Sequence, residues 1–169
     1  KVLPSNKDGF IQHNPKAPHY PIYNSGKPYF AVGESIGWPK NKQTYDYDYY
    51  FNKLAENGCN YSRVWMVPWG LAIEWSDKGY SVGDFYGLGR YSLMNSWRLD
   101  YILKLAEEKG IHIMLTLGNY GDLMAEKGYW HEERWKYNPY NIENGGPCKT
   151  PEEFWTNEKA KKFYKDRLK

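Results

Sequence analysis

The chain has little cysteine and little histidine: two Cys, Cys59 and Cys148, and four His in 169 residues. Two thiols at no framework spacing exclude a disulfide scaffold, and spacing alone leaves a bond between them open. No two His stand at ligand spacing and no Cys motif joins them, so neither a metal site nor a cofactor is expected. No apolar run reaches membrane-spanning length, and no signal-peptide pattern opens the chain. A net charge of +3 is too small to imply a nucleic acid partner. The one concentration of cations, Lys159, Lys161, Lys162, Lys165, Arg167 and Lys169, reads as the solvated face of a C-terminal helix. No Gly-rich phosphate loop joins a strand to a helix, which argues against a nucleotide-binding fold.

What the chain has in plenty is aromatic side chains, 18% of residues with 17 Tyr and 8 Trp. Such rings offer flat faces with a hydrogen-bonding edge, suited to sugars, nucleobases or protein partners. The length supports one domain with a real core.

The stretch 60–70, Asn-Tyr-Ser-Arg-Val-Trp-Met-Val-Pro-Trp-Gly, organises the rest. It reads as a short buried strand, stopped by Pro68 and Gly70. A buried guanidinium needs acceptors for its five donors, so Arg63 is held by a carboxylate or sits near the strand's open end. Beside Trp65 and Trp69 it reads either as the floor of an aromatic cleft or as a structural ion pair below core tryptophans.

Along the chain, 1–30 is rich in Pro, Asn, Lys and Gly, with a hairpin at 22–30 turning on Asn24-Ser25-Gly26. The apolar run 29–33 is expected as a first strand, with 33–38 as its loop. A helix over 46–57 places Tyr47, Tyr50, Phe51, Leu54 and Ala55 on one face, capped by Asp46 or Thr44 and closed by Gly58. A long aromatic loop covers 71–94. A second helix, 96–109, has Leu99, Ile102, Leu103 and Ala106 on one face and Gly110 after it. A buried strand at 111–117 leads into a second long loop, 124–149. Thr150-Pro151-Glu152-Glu153 is expected to open a helix with Thr150 as its cap, and a last helix from about 157 shows Ala160, Phe163, Tyr164 and Leu168 on one face.

Strand and helix alternate three times, with long strand-to-helix loops and short returns. That pattern means α/β with parallel strands covered on both sides, either a β/α barrel or a doubly wound sheet. A complete barrel needs about eight such units. The expectation is an incomplete (β/α)8 TIM barrel: an N-terminal arm with short strands at 1–28, then the first three βα units at 29–169. Open strand edges and apolar helix faces then call for the remainder of the barrel, or for self-association.

Candidate site residues follow from the predicted strand ends. Glu34 and Asp122 are the carboxylates there, able to bind sugar hydroxyls or brace a loop. Trp38, Trp65 and Trp69 are candidate sugar platforms or core rings. Asn119 and Tyr120 are read as substrate contacts or loop caps, and Trp130, with Trp135 and Tyr137, as the lining of outer subsites.

Three stretches, Gly33-Glu34-Ser35-Ile36-Gly37-Trp38, Gly58-Cys59-Asn60-Tyr61-Ser62-Arg63-Val64-Trp65 and Gly110-Ile111-His112-Ile113-Met114-Leu115-Thr116-Leu117, resemble successive strands of family 5-like glycoside hydrolases of clan A. Residues 9–30 resemble the lead-in of cellulase-like and mannanase-like members that carry an N-terminal β-sandwich. The resemblance implies hydrolysis of a β-linked polysaccharide, glucan or mannan, by a retaining two-carboxylate mechanism. It gives Arg63 the role of holding the nucleophilic carboxylate and places both catalytic Glu beyond Lys169. It also implies an oligo- or polysaccharide partner and a secreted or cell-surface setting. Asn157-Glu158 matches the Asn-Glu pair of the family's acid but follows no strand, and is read as a helix cap. Gly118-Asn119-Tyr120-Gly121 stands where many relatives carry His. A non-catalytic carbohydrate-binding or assembly module with the same aromatic cleft is the alternative.

Overall fold

The computed structural model describes residues 7–74, 86–128 and 133–169. Its centre is a parallel sheet of three strands, β3 (Gly33–Ser35), β4 (Tyr61–Trp65) and β5 (His112–Thr116), with β4 in the middle. Helix α1 (Asp46–Glu56) lies between β3 and β4 in the chain, and α2 (Leu93–Glu108) between β4 and β5. Parallel neighbours need such crossovers, so the expected α/β order and strand direction are both present.

The central strand is not uniformly buried. Ser62 and Val64 are enclosed, while Tyr61, Arg63 and Trp65 are half-buried. Val64 and Met66 pack with Tyr47, Phe51 and Leu54 of α1, Ile102 and Ala106 of α2, and Ile111. The helices therefore cover one face of the sheet, and alternation puts Arg63 and Trp65 on the other.

Strand β3 begins at Gly33 rather than at Tyr29. The Asn60 amide takes the place of a strand partner for the residues before it, accepting from Val32 N (2.9 Å) and donating to Phe30 O (2.9 Å). The Val32 carbonyl also accepts from Asn60 N (2.8 Å), and the parallel register with β4 begins at Gly33, where the backbones approach so closely that a Cβ would collide with the Tyr61 carbonyl. Before the sheet, β1 (Ile11–Gln12) pairs antiparallel with β2 (Ile22–Tyr23). The turn expected at 24–26 forms: Gly26 N donates to Tyr23 O (2.8 Å) with Gly26 at φ +86°.

Helix boundaries differ from expectation where side chains rewire a terminus. Neither Asp46 nor Thr44 caps α1; Tyr45 holds the cap position without a side-chain bond, and the Asp46 carboxylate accepts from Lys40 N and Lys42 N. Helix α2 starts three residues early, at Leu93, because Ser92 Oγ accepts from Asn95 N. Its buried face runs through Asn95, Ile102 and Ala106 with Leu99 half-buried, so Leu103 is exposed. Asn95 tolerates burial because its amide donates to Ala72 O (2.9 Å).

The C-terminal segment forms a second core of Trp135, Tyr140, Cys148 and Ala160, flanked by Phe154, Phe163 and Tyr164. Thr150 does not cap a helix: 150–152 is a turn, Lys149 N donates to the Glu153 carboxylate, and a short α3 (Glu153–Thr156) follows. Asn157 caps α4 (Glu158–Arg167), its Oδ1 accepting from Lys159 N and Ala160 N. Leu168 falls beyond the last helical turn and is exposed. Arg167 does not belong to a solvated face; its side chain is only 8% exposed. Among the described residues no helix is long and apolar enough to cross a membrane.

Candidate functional site

The face of the sheet opposite α1 and α2 pairs small residues with large ones. In register with Tyr61 and Arg63 are Gly33 and Ser35 of β3, and a Cβ on Gly37 would lie 3.6 Å from the Trp65 ring. Small neighbours leave room for Arg63 to lie across β3, where its Nε donates to Ser35 Oγ (3.1 Å). Its guanidinium carbon is 4.8 Å from the Trp65 ring centroid, a cation–π distance. Among the described residues no carboxylate pairs with Arg63.

From Trp65 an aromatic chain crosses the carboxyl ends of the strands. Trp38 meets Trp65 edge-on at 5.6 Å and Trp69 edge-on at 5.8 Å. The Arg134 guanidinium lies over Trp69 at 4.4 Å, and Arg134 Nη1 stands 3.8 Å from Asp122 Oδ1. Trp38, Trp65, Trp69 and Asp122, expected at strand ends, are thus brought together with Arg63. Trp38 is the exposed ring and the other two are half-buried.

Other expected residues sit apart or are occupied locally. Glu34 is in register with Ser62, so alternation places it on the face opposite Arg63. Asn119 Oδ1 accepts from Gly121 N and caps the 3-10 helix Tyr120–Leu123. Tyr120 is exposed beside it. Trp135 is a core residue and Tyr137 is exposed. Trp130 lies outside the described residues.

Asp122, carried by that 3-10 helix, is pushed up to about 7, chiefly by burial. Arg134, the Asn119 backbone and Arg167 each pull it back down. Its Oδ1, like Arg134 Nε and Trp65 Nε1, is enclosed without a hydrogen-bond partner among the described residues.

Four functional groups escape a reading of the sequence: Glu74, Arg134, Tyr140 and Arg167. Glu74 is 1% exposed and accepts from Arg167 Nη1 (3.0 Å) and from Tyr140 OH (3.3 Å). Arg167 Nη2 donates to Leu117 O (2.8 Å), and its guanidinium lies 4.4 Å from the Tyr164 ring. Burial raises Glu74 and Tyr140 alike, while Arg167 opposes the shift of each. Glu74, Asp122, Tyr140 and Arg167 line a cavity of about 400 Å³ between the end of β5 and α4. Arg167 follows Ala160 and Tyr164 at i+7 and i+3, the buried stripe of α4. That spacing was the available signal, masked by the surrounding lysines. Glu74 lies in a loop without periodicity and had none.

No family model and no curated protein matches the sequence. Solved structures do. A family 5 glycoside hydrolase mannosidase from Rhizomucor miehei superposes with a TM-score of 0.56 at 16% identity, over 96% of this chain and 43% of that one. A family 5 glycoside hydrolase from Bacteroides vulgatus ATCC 8482 gives a TM-score of 0.46 at 23% identity, covering 64% of this chain and 24% of that one. A third structure, named a glycoside hydrolase, gives 0.46 at 24% identity, covering 64% and 25%. The chain thus spans less than half the length of each of these proteins. At such identities the likeness is one of fold, and over nearly its whole length this chain shares the fold of a family 5 glycoside hydrolase.

Proposed function

We propose that this chain is the first part of the β/α barrel of a glycoside hydrolase that cleaves β-linked glucan or mannan with retention. The observation that carries the reading is Arg63: a half-buried side chain in the middle of the central strand whose guanidinium lies against Trp65 at the strand's end, with one hydrogen bond and no carboxylate among the described residues. A retaining enzyme needs two carboxyl groups about 5 Å apart, one of them a nucleophile held ionised by its neighbours. Glu74 is committed to Arg167 and Tyr140, and Asp122 faces Arg134. In this reading the catalytic Glu pair comes from strands outside this chain, and Arg63 donates to the nucleophile. Trp38, Trp65 and Trp69 offer ring faces and edges for pyranose C–H groups. Among the described residues strand β5 pairs only with β4, and its other edge would receive the barrel's next strand.

The test is reducing-end release from β-glucan and β-mannan by the protein that contains this chain. Arg63→Ala should lower kcat about 10- to 100-fold, the worth of a lost charge-assisted hydrogen bond, with the melting temperature unchanged. Unaltered turnover in that variant removes Arg63 from the mechanism. Glycan binding without hydrolysis by the parent protein would instead assign the same tryptophans to a non-catalytic carbohydrate-binding module.

A further inference from the structure

Trp69 lies in the turn after β4, and two groups fix its ring: Trp38 edge-on and Arg134 over the face. Arg134 belongs to the 3-10 helix Arg134–Tyr137 in the loop after β5, so the contact joins the loops of two strands. Its side chain is 12% exposed, and its one counter-charge among the described residues is Asp122, itself 13% exposed. Their 3.8 Å approach is an ion pair and not a hydrogen bond, and Arg134 Nε and Asp122 Oδ1 have no hydrogen-bond partner among the described residues.

We propose that Asp122 and Arg134 are positioning residues that hold Trp69 as a sugar-stacking platform, and that they do so only while Asp122 carries its charge. The use of the platform rests on the glycosidase reading; the positioning does not. A guanidinium this enclosed is tolerated only with a counter-charge. Protonating Asp122 leaves Arg134 without one, since Glu74 is already bound by Arg167 and Tyr140. Arg134 then moves outward to water and Trp69 loses the cation behind its ring.

Among the described residues the groups facing Asp122 are few. Arg134 and Arg167 of α4 both act on it, and Glu74 and Tyr140 line the same cavity. Asn119 and Asn138 engage its turn through main-chain and amide hydrogen bonds, the latter donating to Asp122 O. Burial outweighs the two arginines and brings the titration of Asp122 to about 7, so the platform sets near neutral pH and loosens in mild acid.

The experiment is fluorine NMR of the protein labelled with 5-fluorotryptophan, the Trp69 signal assigned through Trp69→Phe. The expected result is a pH-dependent Trp69 shift with a midpoint near 7 that is absent in Asp122→Asn. Arg134→Lys keeps the step and Arg134→Gln locks the signal at its acid position. Affinities for cellohexaose and mannohexaose should weaken about fivefold on the acid side, the worth of one cation–π contact, and become pH-independent in Asp122→Asn. A flat Trp69 signal in the parent protein, or a step that survives Asp122→Asn, overturns the proposal. A step that obeys the variants while neither sugar binds upholds the positioning and sinks the glycosidase reading instead.

Discussion

Replacing Arg167 by Met tests how the loops at the carboxyl end of the sheet are held. The substitution keeps an apolar stem against Tyr164 and leaves Glu74, 1% exposed, with Tyr140 OH as its sole remaining donor among those described. Breaking one side of a buried ion pair costs about 3–5 kcal/mol, because the surviving charge stays desolvated. The pH dependence follows from Glu74. Burial raises its carboxyl, and Arg167 is the largest influence pulling it back. A carboxyl raised in the folded state contributes stability below its unfolded value and loses that contribution as pH climbs through the folded one. Without Arg167 the folded value climbs further, so the variant's deficit should be largest at pH 8 and shrink toward pH 5. Urea unfolding at the two pH values measures it, with an unchanged slope confirming that the native fold persists. The double variant Glu74→Gln/Arg167→Met should recover more than about 1 kcal/mol relative to Arg167→Met, since no charge is left stranded. A cost below about 1 kcal/mol at pH 8, or an equal deficit at both pH values, would refute the assignment of Glu74–Arg167 as a buried, charged pair.

Three further outcomes can be checked at the bench. Gly33→Ala drives a Cβ into the Tyr61 carbonyl, so it should cost about 3 kcal/mol or more or abolish folding, and an unchanged melting curve contradicts the β3–β4 register. Asn60→Ala removes the amide that brackets residues 30–32 and should cost about 1–2 kcal/mol. Hydrogen exchange would then speed up at Val32; an unaltered rate there means that water replaces the amide without loss. Cys148 is a free, enclosed thiol raised by burial, and Cys59 is also free. Native protein should therefore spare Cys148 from a thiol reagent that counts two thiols after unfolding, and an intact mass two hydrogens light would show a disulfide instead.

The alternation of strand and helix was legible because α1 and α2 each carry an apolar period and each is followed by a glycine in the left-handed region, Gly58 at φ +74° and Gly110 at φ +70°. The boundaries that shifted did so through single polar side chains whose partners are distant or ambiguous in sequence. Asn60 displaces the start of β3 from 28 residues away, and Ser92 draws α2 back into what reads as loop. The tryptophans were legible as a group because Trp65, Trp69 and Trp38 flank strand ends. Arg134 and Glu74 were not, because they come from aperiodic loops after different strands, and only the closed fold brings Arg134 over Trp69 and Glu74 to Arg167.

Three arginines gather at this end of the sheet, and how each is satisfied separates their roles. Arg167 has both a counter-charge and a carbonyl, Glu74 and Leu117, within hydrogen-bond distance, which is the pattern of a structural tie. Arg134 has a counter-charge at 3.8 Å and no hydrogen bond to its Nε among the described residues, which makes its place conditional on Asp122. Arg63 has the reverse: one hydrogen bond to a neutral hydroxyl and an aromatic ring, without a charge of opposite sign among the described residues. Ser35 occupies one of its five donors, and the small residues of β3 leave the guanidinium half-buried. A cation kept from full hydration and given no anion is costly in isolation and useful only if an anion arrives. The retaining mechanism supplies that anion as the nucleophilic carboxylate, so the least satisfied of the three arginines is the one to which the proposed chemistry assigns a partner.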